Sequence, residues 1–178
     1  MMRYALLTFA LAATTGASAQ YDLDEQLKRV QQQHQRLQEQ QRANVEKLDS
    51  VKLAIIRRDL KRLGLPALQP GEEVIVHPGH MLVYDERHEQ PKWTAHIATP
   101  DLITGNLARI DSFLPDPQVK TGTAVTADYW NSGFDRGHMV PSADMRWNLG
   151  ALQGTYYYSN VSPQVPELNR GTWAELED

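Results

Sequence analysis

The stretch FDRGHMVPSAD, Phe134 to Asp144, sets an acid, a base, a glycine and a histidine in a row and then turns through Pro141. Gly137 lets a neighbour approach the backbone closely. His138 carries a group whose unperturbed pKa, about 6.5, suits proton transfer near neutrality. A histidine in a strand is more often structural than reactive, so His138 needs partners elsewhere in the chain.

Candidates stand downstream in LNRGTWAELED, Leu168 to Asp178. Helix-forming character begins there after Asn169. Asn169 and Glu177 are eight positions apart, close to two helical turns of about 7.2 residues, so a regular helix carries both on one face. A neutral amide oxygen with a carboxylate suits a hard cation such as Mg²⁺, which keeps most of its waters. Taken alone, capping of the helix by Asn169 is the simpler account. Between the two blocks lies YYYSNVSPQ, Tyr156 to Gln164, a β-prone run. The region thus reads strand, loop, strand, helix.

DRGHMVPSAD, YYYSNVSPQ and LNRGTWAELED, in that order, closely resemble the DNA/RNA non-specific endonucleases, the ββα-metal nucleases. The resemblance covers roughly Val74 to Asp178. It implies an α+β fold, a ββα-metal core with a central antiparallel sheet. It implies that His138 is the general base acting on the attacking water. Asn169 would be the direct protein ligand to Mg²⁺, with Mn²⁺ as a substitute. Glu177 would hold a metal-bound water. Asn160 and Gln164 would line the site, and Asp135 and Arg136 would brace the loop. Arg109, in GNLARIDSF, is the candidate for stabilising charge on phosphorus. The implied partner is DNA and/or RNA, cleaved with little sequence specificity. The chain stops at Asp178 inside the expected helix, which suggests that the C-terminal part is truncated.

Upstream of the motif, EVIVH and MLVYDE read as short strands, RHEQP as a turn and KWTAHIAT as the returning strand. GLPALQPGEE, Gly64 to Glu73, carries two prolines and two glycines and marks the domain boundary. Asp22 to Leu63 has neither and is rich in helix formers. Leu23, Leu27, Val30, His34, Leu37, Gln41, Asn44, Leu48, Val51 and Ile55 follow steps of four and three. That is heptad spacing with polar interruptions, so a long helix with a weak coiled-coil tendency is expected, better packed after Leu48. Two readings of this helix stand equally: a stalk that pairs two copies as a homodimer, or a lone helix draped on the domain. At the N-terminus, Arg3, an apolar run from Tyr4 to Ala13 and Ala17-Ser18-Ala19 fit a signal peptide cleaved near Ala19. Residues 1–19, 20–63 and 64–178 are therefore read as signal peptide, helix and nuclease domain. The protein is expected in the periplasm or outside the cell. There is no cysteine, which excludes disulfides, thiolate zinc sites and cysteine nucleophiles.

Charge runs against the nuclease reading. Asp22 to Leu63 has ten Lys/Arg against seven Asp/Glu, whereas Gly64 to Asp178 has seven against fifteen. Binding of a polyanion would rest on Arg109, Arg136, Arg146, Arg170 and the metal, with affinity that depends strongly on salt. Other readings are weaker. Ser142 near His138 and Asp144 lacks a nucleophile elbow. His77, His80 and His88 with Asp85 lack helical zinc spacing and are expected in a solvated turn. Trp93, Trp130, Trp147 and Trp173 are expected in the core. The rival from another class is a catalytically silent nucleic-acid-binding or assembly protein, a coiled-coil stalk bearing a degenerate nuclease fold.

Overall fold

A computed structural model of the chain describes residues 7–177 apart from 101 and 103, with side chains from 21 onward. The whole of the expected signal peptide, 1–19, therefore lies outside the described side chains. The chain divides into two units, 1–48 and 49–178.

Helix α1 spans Leu7–Leu63. In the first unit every described side chain from 21 to 48 is exposed. The seam residues Leu23, Leu27, Val30, Leu37 and Leu48 therefore meet solvent. In the second unit the buried face is Ile56 and Leu60, which pack with Met81 and Leu102. Val51 and Ile55, expected in the seam, stay exposed. The heptad register thus does not select the face that packs; a four-residue step suited to one straight helix does. Lys61 and Arg62 occupy the last turn, where cations favour the negative end of the helix dipole. Gly64 follows at φ +94°, the left-handed cap that glycine adopts without strain.

The second unit holds two antiparallel sheets. Strands β1 (Val74–Val76), β2 (His80–Asp85) and β3 (Gln90–His96) form the first, in that order. Strand β2 is buried along almost its whole length because both faces are covered. Met81 meets Ile56 and Leu60, whereas Leu82 and Tyr84 meet Val119. The turn between β1 and β2 is not solvated, contrary to expectation. His77 and His80 are buried there, while His88 is exposed. The physical reason is Asp116, in the loop that follows β3. Its carboxylate takes His77 Nε2 at 2.8 Å and the Ser159 hydroxyl, while Gln118 reaches His77 Nδ1 at 3.2 Å.

The second sheet pairs β4 (Asp135–His138) with β5 (Val161–Gln164), setting Asp135 opposite Gln164 and His138 opposite Val161. A four-residue helix, α2 (Thr126–Tyr129), precedes β4. Helix α3 (Leu149–Thr155) lies between the two strands. Asn148 fixes its start: Oδ1 accepts from Ala151 N–H at 2.9 Å and Nδ2 donates to Asp49 at 2.8 Å. Tyr156 to Tyr158 do not form the expected strand. Tyr157 makes a single bridge to Leu114, and Tyr158–Asn160 is a 3₁₀ turn. The Tyr158 ring is buried with Ala124, Val161, Phe113 and Tyr129, and that packing overrides the β propensity. The chain then runs through a wide turn, Leu168–Thr172, into α4, Trp173–Glu177. Gly171, at φ −109° and ψ −112°, breaks the helical path. Asn169 and Glu177 are consequently not on one regular helix face.

Of the tryptophans, Trp93 and Trp147 pack against the core cluster of Ile56, Leu60, Met81 and Leu102. Trp130 does not: it is 77% exposed.

Candidate active site

Strand β4 presents its residues to two sides. Asp135 and Arg136 reach a cleft of about 350 Å³, whose wall also includes Arg109, Phe113, Trp130, Phe134 and Asn169. His138, at the other end of the strand, is 9% exposed. Its ring lies 5.1 Å from that of Phe113 and meets Tyr156 edge-on at 4.9 Å. Phe113 joins the two groups, because the Arg136 guanidinium sits 4.6 Å above the centre of the same ring. Burial, then the nearby charges of Arg109 and Arg136, lower the His138 pKa to about 4. The imidazole is therefore neutral at physiological pH, the state a proton acceptor needs.

Gly137 is the residue that makes this strand possible. A Cβ there would lie 2.1 Å from Cδ of Gln164. The Gln164 side chain, buried and with Oε1 lacking a hydrogen bond, crosses the strand where the glycine leaves room.

Asn169 is oriented by chemistry alone. Its Nδ2 donates to Asp135 Oδ2 at 3.1 Å. A carboxylate can only accept, so the amide nitrogen faces Asp135 and Oδ1 is left for the cleft. Arg170 grips the same carboxylate with two bonds, at 2.7 and 2.6 Å. That pairing holds the Asp135 carboxyl below its usual range, with the Arg170 hydrogen bonds as the main cause. An oriented neutral oxygen beside an ionised carboxylate fits Mg²⁺, which takes oxygen donors and keeps several waters. Among the described residues no group of three His, Cys, Asp or Glu side chains forms a metal cage, so a site of this kind would rest mainly on Asn169 and water.

Arg109, Asp135, Arg136 and Asn169 thus share one cleft, with His138 behind Phe113. Glu177 is half-buried at the end of α4 and does not line the cleft. Asn160 does not line it either. It is fully buried, Oδ1 accepts from Val140 N–H at 3.0 Å, and Nδ2 donates to Val140 O and Thr155 O. Its place is to clamp the turn that leaves His138. Two of the expected phosphate-binding arginines are engaged elsewhere. Arg146 donates to Leu107 O, and Arg170 holds Asp135. Arg109 and Arg136 remain as the cationic groups of the cleft. Phe113 was not singled out in the sequence; it has no motif of its own, and only the fold brings it under Arg136 and His138.

The architecture, mixed helix and antiparallel sheet with this constellation on a strand and a following helix, defines a class that the comparisons identify. The model of the DNA/RNA non-specific endonuclease family matches residues 63–178, and the chain belongs to that family. It is 38% identical over 124 residues to a mitochondrial nuclease EXOG of Danio rerio, covering 68% of this chain and 36% of that protein. It is 37% identical over 121 residues to mitochondrial endonuclease G of Homo sapiens, covering 67% and 40%. A crystal structure of the EndoG/EndoGI complex superposes with a TM-score of 0.61 at 30% identity, over 67% of this chain and 49% of that one. The matched region is 36–40% of the length of those two curated relatives.

The same relatives overturn the expected export. They are named as mitochondrial, as are related nucleases of Schizosaccharomyces pombe and Saccharomyces cerevisiae. The expectation of a periplasmic or extracellular location is therefore withdrawn. The physical source of the error is visible. Residues before Asp22 hold Arg3, small and hydroxyl side chains and no acid, features shared by secretory signals and acid-poor organellar presequences.

Proposed function

We propose that this chain is a metal-dependent endonuclease that hydrolyses phosphodiester bonds in DNA and/or RNA with little sequence specificity. The observation that carries the reading is the shared cleft, where Arg109 and Arg136 meet an Asn169 amide that Asp135 turns oxygen-outward. Arg109 and Arg136 hold the phosphate, and a guanidinium fork matches its geometry. The neutral His138 ring accepts a proton from the attacking water. Its Nε2 is enclosed without a hydrogen bond, which leaves Nδ1 as the nitrogen able to meet water. Binding of an anionic phosphate offsets the two arginines, raises the His138 pKa and strengthens the base at the moment of use. Asn169, with Glu177 through water, would hold Mg²⁺ or Mn²⁺, which supplies charge neutralisation at the phosphate and the departing oxygen. Such chemistry touches the backbone and not the base edges, so sequence is not read. The exposed apolar stripe of α1 is proposed to pair two copies of the chain.

A plasmid-nicking assay tests the reading. Cleavage is expected with Mg²⁺, lost in EDTA, and lost in His138→Ala and Asn169→Ala. Binding of nucleic acid without cleavage by the wild-type chain in Mg²⁺ would favour the silent assembly protein.

A further inference from the structure

The residues just before β4 carry an arrangement that the hydrolytic groups do not explain. Trp130 is 77% and Phe134 47% exposed, yet both belong to the wall that holds Arg109, Arg136 and Asn169. The segment between them is not loose. Asn131 at φ +57° and Gly133 at φ +82° both take left-handed backbone conformations. Ser132 stitches the turn together: its hydroxyl donates to Tyr129 O at 2.9 Å and accepts from Phe134 N–H at 3.1 Å. Trp130 N–H bonds Ala127 O at 3.2 Å. Beneath, Tyr129 stacks on Tyr158 at 5.7 Å, and Thr126 Oγ1 meets Tyr158 Oη at 2.9 Å. A braced turn therefore presents a large apolar ring to water beside two arginines.

We propose that Trp130, with Phe134 beside it, is a stacking platform for an unpaired base next to the phosphodiester held by Arg109 and Arg136, so that single-stranded nucleic acid is the preferred substrate. This rests on the nuclease reading of the cleft. Stacking on an indole is available to any base because every base has a π face, and it needs the base to be out of a duplex. The acidic balance of residues 64–178, seven Lys/Arg against fifteen Asp/Glu, argues the same way. With few phosphate contacts in reach, base stacking supplies the affinity that charge does not.

The experiment compares cleavage of an unstructured oligodeoxythymidylate with that of a duplex of equal length, in Mg²⁺. Trp130→Ala should raise KM on the single strand about tenfold, with kcat and the duplex KM changed less than about twofold. Trp130→Tyr should restore most of the loss. The wild-type indole emission should be quenched by the oligonucleotide in EDTA, and the Trp130→Phe chain should lose that quench. The thermal midpoint should not move, because the side chain is exposed. Equal rises of KM on both substrates, or no rise on either with cleavage intact, would overturn the platform and leave the nuclease reading standing. A wild-type chain that neither cleaves nor binds either substrate would overturn both.

Discussion

Gly-His-Met occurs twice, at Gly79 to Met81 and at Gly137 to Met139, and the two copies have opposite fates. In both the glycine is there for close approach. A Cβ at Gly79 would fall 2.4 Å from Met145 Sδ, and one at Gly137 2.1 Å from Gln164 Cδ. In both the histidine is held neutral, His80 at about 3 and His138 at about 4, by burial first. The difference lies in what else surrounds the ring. His80 is 1% exposed, neither of its nitrogens has a hydrogen bond, and its ring lies tilted 4.9 Å from that of His77. No solvent or substrate reaches it. His138 packs behind Phe113, the ring that also carries the Arg136 guanidinium in the wall of the cleft. A depressed histidine pKa is therefore not by itself the mark of a reactive base; what sets His138 apart is the nearby pair of arginines, which His80 lacks.

The largest contrast comes from deleting each ring. His138→Ala should lower cleavage per folded molecule by roughly 10²–10⁴-fold, the usual range for loss of a general base, and the cavity beside Phe113 and Tyr156 should lower stability as well. His80→Ala should differ by affecting stability alone. It should cost roughly 2–4 kcal/mol through the cavity it leaves, while cleavage per folded molecule persists. If His80→Ala abolishes cleavage at full stability, the comparison fails.

Acid should expose both rings together. Each has a folded pKa below the ordinary 6.5, so the unfolded chain takes up protons first as pH falls. Stability is then full above pH 6.5, declines from there toward pH 4 and levels off below the folded pKa of each ring, a loss on the order of a few kcal/mol. His80→Phe should flatten that decline without touching activity at neutral pH, as urea melts at a series of pH values would show.

The glycines give a smaller separation. Both alanine substitutions crowd the interior and should cost about 1–3 kcal/mol. Only Gly137→Ala, which pushes on Gln164 and on the strand bearing His138, should also depress kcat. The smallest effect is expected at Asp135. Asp135→Ala releases the Asn169 amide and should weaken Mg²⁺ activation about tenfold, as loss of a ligand-orienting group does. A titration of activity against Mg²⁺ reads this directly, and no shift in half-saturation would mean that the carboxylate does not orient the amide.

Much of this was legible in the chain. The β1–β2–β3 meander follows from alternation and turn residues, the break at Gly64 from glycine and proline, and the DRGH strand from its motif. The heptad steps, by contrast, named Val51 and Ile55 where the fold buries Ile56 and Leu60. The packed face depends on what the helix meets, and that is not encoded in the period. Asn160 matched a site position and proved to be a buried clamp, because an amide can satisfy backbone groups as well as line a cleft. The YYY run looked like a strand until Tyr158 needed a pocket.

The sequence by itself determined the kinds of groups available: one reactive-type histidine in a glycine-bearing strand, an asparagine ahead of a short helix, arginines in place of lysines, and no thiol. These are covalent facts, fixed by residue type and local spacing. Only the tertiary structure decided which of them meet. Asp135 turns the Asn169 amide from 34 positions away, and Phe113 lies under both Arg136 and His138. Long-range packing sets such contacts, because field and orientation at a site depend on distances through space, and residue spacing constrains those only within an element.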